Sequence, residues 1–287
     1  MSFFVPDHIP GIYRIHRPKA EIIPLVVDSP HSGTCYPVDF GHAVDMTTLR
    51  HVEDMYVAEL MAGAPSVGVP LLEALFPRSY IDPNRAEDDI DTELLDAPWP
   101  GSPKPTEKSR LGVGLIRRLI TPGKPLYDRR LPPVEIEARI SRFWRPYHAA
   151  LKALLGTTHA AHGSVWHIDA HSYPTCCGFA GSLPNIDFVL GDRDGTSCTP
   201  AFLRRTRACL EGLGYCVAVN DPYRGVEILR LHGDPKSNRY SLQLEIRRSL
   251  YMNEDTLEKT DGFAPLQANL RVLLSDLADY VRAQTCT

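Results

Sequence analysis

Two apolar runs in this chain end in nearly the same chemistry: Asp28-Ser29-Pro30-His31-Ser32-Gly33 and Asp169-Ala170-His171-Ser172. Neutral imidazole is a common ligand for divalent metals, and a catalytic zinc takes three protein ligands with a fourth position left open. His31 and His171 supply two such ligands. The acidic pair Glu53-Asp54, in the opening part of the first helical pattern after His31, is near enough in sequence to offer a carboxylate as the third. Asp28 and Asp169 are then available to accept a proton from the other ring nitrogen of each histidine, which fixes the tautomer of a metal-binding imidazole. A lone histidine at a buried strand end is more often structural, but two in parallel contexts favour a metal between them.

Other clusters carry complementary chemistry. Arg78-Ser79-Tyr80-Ile81-Asp82-Pro83-Asn84-Arg85 offers planar guanidinium forks suited to carboxylates, against the plainer reading of two solvated arginines around a turn. In Gln243-Leu244-Glu245-Ile246-Arg247-Arg248, Glu245 interrupts an apolar alternation, and burial raises a carboxyl pKa toward the range useful for proton transfer. The alternative is an inward glutamate paired with an arginine for structure. His232, in Arg230-Leu231-His232-Gly233-Asp234-Pro235, reads equally as a solvated turn residue or a site residue. The seven cysteines (35, 176, 177, 198, 209, 216 and 286) lack CxxC spacing and are expected to be reduced thiols, and the adjacent Cys176-Cys177 reach one metal only awkwardly.

The elements that must position these residues follow from periodicity. Ile22 to Val27 reads as a buried strand that stops at Asp28, and Val165 to Ala170 as a second that runs into His171. Thr47 to Ala64 has helical spacing through Leu49, Val52, Tyr56, Leu60 and Met61, with Asp45 or Thr47 as N-cap. A short strand is expected at Ser79 to Asp82, further strands at Ile186 to Leu190, Tyr215 to Val219 and Leu242 to Ile246, and helices at Val134 to Leu155, Pro200 to Leu213 and Gly262 to Ala283. Strands alternating with helices predict an α/β fold with a mostly parallel sheet, in which ligands gather at the carboxyl ends of strands. The 287 residues are expected to form a single α/β domain, with a Pro-rich excursion at about 91–133 that reads as a lid over the site.

Composition limits the partners. With 31 basic against 35 acidic residues and a net charge of −4, no cationic surface suggests nucleic acid. Met1 to Pro10 has neither a basic nor an apolar targeting region, and no run of eighteen apolar residues occurs, so a cytoplasmic protein without a membrane partner is expected.

Taken in order, Asp28 to Gly33, Glu53-Asp54, Arg78 to Arg85, Asp169 to Ser172, Leu190-Gly191-Asp192-Arg193-Asp194-Gly195, Gln243 to Arg247 and Leu250-Tyr251-Met252 resemble the N-formylglutamate amidohydrolase (N-formylglutamate deformylase) family. The likeness runs from about Pro24 to the C-terminal helix. It implies a three-layer α/β/α fold with a mixed, mostly parallel central sheet of zinc-exopeptidase (phosphorylase/hydrolase-like) type, similar to zinc carboxypeptidases and aspartoacylase. It also implies one divalent metal, zinc first, and a small-molecule substrate: hydrolysis of N-formyl-L-glutamate to formate and L-glutamate in histidine breakdown. By the same likeness His31 and His171 are metal ligands. Relatives with a His-x-x-Glu motif have their carboxylate three residues after the first histidine, where this chain has Thr34, so the third ligand is assigned to Asp54, with Glu53 as the alternative. Asn84 and Arg85 inherit the role of holding a substrate carboxylate, Arg78 that of polarising the scissile carbonyl, and Glu245 that of activating water. Arg247 or Arg224 is expected at a second carboxylate; Arg247 follows Glu245 by two and shares its face on a strand. His232 is left between stabilising the transition state and supplying a ligand. The alternatives are a hydrolase of another N-acyl amino acid or small peptide, and a non-catalytic binding protein.

Overall fold

The computed structural model describes residues 5–19, 21–177, 181–182 and 185–285. Its centre is an eight-stranded sheet. The strands of the chain are β1 (His8–Ile9), β2 (Tyr13–His16), β3 (Leu25–Ser29), β4 (Leu71–Ala74), β5 (Leu119–Thr121), β6 (Lys124–Pro125), β7 (Val165–Tyr173), β8 (Cys176–Cys177), β9 (Gly181–Ser182), β10 (Phe188–Gly191), β11 (Val217–Val219) and β12 (Arg239–Arg247). The sheet runs β1-β2-β4-β3-β7-β12-β10-β11, while β5-β6 and β8-β9 are separate hairpins. Strands β4, β3, β7 and β12 are mutually parallel, as are β10 and β11; β1-β2, β2-β4 and β12-β10 are antiparallel. The sheet is therefore mixed and mostly parallel, as the alternation of elements predicts.

The helices are α1 (Met46–Arg50), α2 (Val57–Leu60), α3 (Glu107–Arg110), α4 (Pro133–Arg139), α5 (Arg145–His162), α6 (Pro200–Gly212), α7 (Glu227–His232) and α8 (Phe263–Thr285). On one side of the sheet Leu60, Phe202, Leu270 and Leu274 from α2, α6 and α8 pack with Val27, Ile168 and Leu244. On the other, Ile136, Tyr147, Leu151 and Leu229 from α4, α5 and α7 pack with Val26 and Leu72. Covered on both faces, β3 and β7 are fully buried, yet on the face under α5 polar side chains replace apolar ones along β7 and β12.

In β7, Trp166, Ile168 and Ala170 join the cluster under α8, while His167, Asp169 and His171 alternate onto the face under α5. The parallel register sets Ser241, Gln243 and Glu245 of β12 beside His167, Asp169 and His171, and Asp28 of β3 beside Asp169. A polar stripe thus crosses three central strands where apolar side chains would be the cheaper filling, because burying polar groups costs free energy unless they are paired.

Several elements differ from their sequence expectations. The helix expected over Thr47 to Ala64 is broken into α1 and α2, with Tyr56 at φ 65° between them. Asp45 caps α1, accepting from the Thr48 amide. The break has a tertiary cause: the Asp54 amide donates to the His31 carbonyl (3.1 Å), and Ser32 Oγ donates to the Asp54 carbonyl and accepts from the Ala58 amide. Ser79 to Asp82 is a turn rather than a strand, with the Tyr80 amide bonded to the Pro77 carbonyl. The helix from Val134 extends to His162 through a π turn at Ile140–Trp144, directly before Pro146, whose missing N–H cannot sustain the regular ladder there. The 91–133 segment holds α3 and the β5-β6 hairpin and buries Leu94, Leu115, Ile120 and Leu131. Among the described residues no helix is long and apolar enough to cross a membrane. Cys35, Cys198, Cys209 and Cys216 are free thiols; the side chains of Cys176 and Cys177, and all of Cys286, lie outside the described residues.

Candidate metal centre and active site

The two histidine-bearing strand ends meet. The backbone after β3 turns sharply against β4, where Gly33 is required: a Cβ there would stand 2.3 Å from the Phe76 carbonyl oxygen. This turn places the His31 ring 4.7 Å, centroid to centroid, from the His171 ring at the end of β7. Both rings direct Nδ1 at one oxygen of Asp54, at 3.2 Å and 3.0 Å from Oδ2. All three residues are buried, and their potential ligand atoms lie within 4.8 Å of one another. The break between α1 and α2 brings Asp54 to the histidines and turns Glu53 away, where it accepts from the Tyr36 hydroxyl. Burial pushes the Glu53 carboxyl up to about 7.

The outward ring nitrogens are also held. His31 Nε2 lies 2.7 Å from Asp82 Oδ1, and His171 Nε2 lies 2.8 Å from Asp169 Oδ1. Carboxylates behind the imidazoles, with the opposite nitrogens converging on a third carboxylate, fit a metal bound through both histidines and Asp54 Oδ2. Asp169 lies on the outward side of the His171 ring as expected, although its Oδ1 makes no hydrogen bond there. Asp28 does not take its expected place: its oxygens take His167 Nε2 (2.9 Å) and the Tyr147 hydroxyl (2.6 Å), because β3 ends level with Asp169 and leaves Asp28 deeper than His31. Asp82 stands in its place, delivered by the 78–85 turn. Its signal in the sequence was its position inside that motif, four residues after Arg78.

Cations saturate the other sides of these acids. Arg78 donates to Asp82 Oδ2 (2.9 Å) and to Asp54 Oδ1 (3.4 Å), and Arg248 donates to Asp54 Oδ1 (3.1 Å), the His51 carbonyl and Ser172 Oγ. Burial alone would raise the Asp54 carboxyl, but Arg78 and hydrogen bonds from His171 and His31 hold it well below the usual range. Asp82 is held down in the same way, against burial, by Arg78 and His31. Burial disfavours a charged His171, yet Asp169 and Asp54 raise it well above the ordinary imidazole value.

Glu245, in register with His171, accepts from Gln243 Nε2 (2.9 Å) on the same face of β12. Burial pushes its carboxyl up to about 7, with the His171 charge opposing. A carboxyl buried beside two candidate ligands and titrating there has the properties of a general base.

The remaining expected residues fall in different places. Asn84 is buried with both ends of its amide engaged: Nδ2 lies 3.0 Å from His171 Nε2, and Oδ1 accepts from the Ile228 amide. Arg85 bonds two carbonyls, those of Asn84 and Val113. Arg247 pairs with Asp187 (2.5 Å) and the exposed Arg224 with Asp194 (3.2 Å). His232 lies beneath the site, its ring 6.4 Å from those of both His148 and His167, and outside the His31-Asp54-His171 cluster. Burial, with neighbouring His167 and His148, pushes its imidazole down to about 3, so it is neutral. Gln243 and Arg248, which touch the base and the candidate ligand, went unassigned although both lie in the 243–248 motif.

Fold and site together place the chain among α/β proteins that carry a histidine-carboxylate cluster at the carboxyl ends of the central strands of a mixed sheet. More narrowly, the chain belongs to the N-formylglutamate amidohydrolase family, which it matches over residues 23–252. The crystal structure of N-formylglutamate amidohydrolase from Ralstonia eutropha JMP134 is similar with a TM-score of 0.91 and 46% identity, covering 96% of this chain and 99% of that one. N-formylglutamate deformylase of Pseudomonas putida is 30% identical over 264 residues, 89% of this chain and 92% of that protein. The Agrobacterium tumefaciens gene product Atu2144, at 19% identity and a TM-score of 0.69, shares the fold.

Proposed function

We propose that this chain hydrolyses the formamide bond of N-formyl-L-glutamate, releasing formate and L-glutamate, as a cytoplasmic step of histidine breakdown. The carrying observation is the convergence of His31 and His171 Nδ1 on Asp54 with Glu245 in register beside them, in a chain of this family. The donor set fits one divalent ion held by His31, Asp54 Oδ2 and His171, with zinc the first choice for two imidazoles and a carboxylate. Such an ion supplies Lewis-acid polarisation and a lowered pKa for water, which an unreactive amide needs near neutral pH.

The chain's own groups do the rest. Glu245 takes one proton from the attacking water as the new carbon–oxygen bond forms, and passes it to the amide nitrogen as the carbon–nitrogen bond breaks. The second proton reaches the amine as formic acid ionises, so the products are formate and an ammonium. Arg78, fixed by Asp54 and Asp82, directs its guanidinium charge at the developing oxyanion. Arg85, whose bonds among the described residues go to carbonyls alone, keeps its charge for a substrate carboxylate. Asn84 acts as a positioning residue that ties Asp169, behind His171, to the start of α7: its Nδ2 donates to Asp169 Oδ2 (3.4 Å) and its Oδ1 accepts from the Ile228 amide. Formate release from N-formyl-L-glutamate, removed by a chelator and restored by Zn²⁺, is the expected result. No formate from the zinc-loaded protein overturns the reading.

A further inference from the structure

Arg117 is a buried charge near the site that makes no ion pair among the described residues. It is 8% exposed, and its Nε is buried without a hydrogen-bond partner. Its place is set by backbone. The Asp82 amide donates to the Leu115 carbonyl, Arg85 Nε donates to the Val113 carbonyl, and Val113 and Arg117 form an antiparallel bridge. The 113–117 turn therefore lies directly against Asp82 and Arg85 and carries Arg117 with it.

Three cations in this corner, Arg85, Arg117 and Lys108 on α3, make no ion pair among the described residues, the nearby carboxylates Asp82 and Asp54 being already bonded to Arg78. Arg85 bonds two carbonyls. Loss of solvent and then the nearby Arg78 push the Arg117 guanidinium down to about 9. Lys108 is more exposed, yet its ammonium is also lowered, by partial desolvation and then by Arg85, Arg117 and Arg78. A buried, unpaired guanidinium beside like charges is costly in the empty protein, and an anion arriving there relieves both the burial and the repulsion.

We propose that Arg117, assisted by Lys108, receives the second carboxylate of a dicarboxylic substrate whose first carboxylate is held by Arg85. This rests on the hydrolytic reading above. It makes the Glu107 to Arg118 part of the Pro-rich excursion the specificity element of the site. Two fixed cations select for charge at both ends of a small molecule, as a site built for a charged group leaves its own buried charge unpaired when the analogue lacks it.

The test compares N-formyl-L-glutamate with N-formyl-L-glutamine, which has nearly the same shape and one carboxylate fewer. Arg117→Met is expected to lower the ratio of kcat/KM for the dicarboxylate over the amide by at least about 30-fold, through KM, as for a desolvated charge pair that loses a partner. Its melting temperature is expected to stay level or rise, since an apolar side chain replaces an unpaired buried charge. Arg117→Lys is expected to restore part of the ratio, and the exposed Lys108→Met to move it in the same direction by less. Equal losses on both substrates, or an unaltered ratio in Arg117→Met and Lys108→Met, overturn the proposal. If the wild-type protein turns over neither substrate, the hydrolytic reading fails by itself. Calorimetry with glutarate against butyrate then decides the pocket: a wild-type preference for glutarate that Arg117→Met abolishes supports it, and equal binding to both proteins overturns it.

Discussion

The tasks proposed for Glu245 and Asp82 are separable, and substitutions should separate them. Glu245→Gln keeps the shape and the contact to Gln243 but cannot take a proton, so kcat should fall by about 10²- to 10⁴-fold with metal content unaltered. The wild-type acid limb of kcat/KM should lie at or below pH 7, because Glu245 must be ionised to act, burial raises it to about 7, and a bound cation draws it down. That limb should vanish in the variant, and a variant with full turnover would exclude the role. Asp82→Ala removes the carboxylate behind His31 Nε2 and the anchor of Arg78, and metal affinity should drop by about 10- to 100-fold in a competition titration. His31 and His171 were legible with the Glu53-Asp54 pair because strand ends and paired motifs are local signals; choosing Asp54 over Glu53 rested on the family resemblance, and the structure brings Asp54 to both histidines. Sequence alone could not show that Asp28 faces His167 and that Asp82 replaces it, because that depends on how far β3 runs beside β7.

At the level of elements, the interruption between α1 and α2 is what makes Asp54 available. Of the expected face, Leu49, Leu60 and Met61 are buried and Val52 and Tyr56 half-buried, so the apolar spacing of the sequence does turn toward the core. What periodicity cannot register is competition from bonds to residues more than twenty positions away, here to His31 and Ser32. The Ser79 to Asp82 turn has the same lesson in another form. Tyr80 and Ile81 read as strand residues, but they are apolar because they enter the core, with the Arg139 guanidinium 4.1 Å from the Tyr80 ring. Long strands and helices such as β7, β12, α6 and α8 were legible because their patterns extend over many residues and their packing agrees with them. Ser32→Ala should weaken both stability and metal retention, since one hydroxyl joins the Asp54 carbonyl to the Ala58 amide. We expect a cost of ~1–3 kcal/mol in denaturant unfolding, with metal affinity reduced as the 51–56 segment loosens. A variant that loses stability and keeps its affinity would show that Asp54 is held by the rest of its contacts.

For the whole molecule, the metal is predicted to act as a folding ligand as well as a reagent. An ion bound to the native chain at about 100 times its dissociation constant adds ~2.7 kcal/mol, so a chelator should lower the melting temperature and zinc restore it. The sign of the pH dependence follows from His171. Its partners raise it well above the ordinary imidazole value in the metal-free protein, so protons compete with the ion and affinity declines as pH falls. The difference in melting temperature between loaded and chelated protein should therefore be larger at pH 8 than at pH 6, and an equal difference would dissociate the stabilisation from that imidazole. The parallel pairing of β7 with β12 has a kinetic corollary. His171 and Glu245 sit on adjacent central strands joined along nine residues, whereas Asp54 hangs on two short helices and an irregular turn. Amide hydrogen exchange should be slowest along those two strands and faster by orders of magnitude across 51–56, because small contiguous units open first. On warming, the chain should release its ion through local opening of the Asp54 segment while histidine and base stay side by side, so that cooling in the presence of zinc returns activity without any refolding of the sheet.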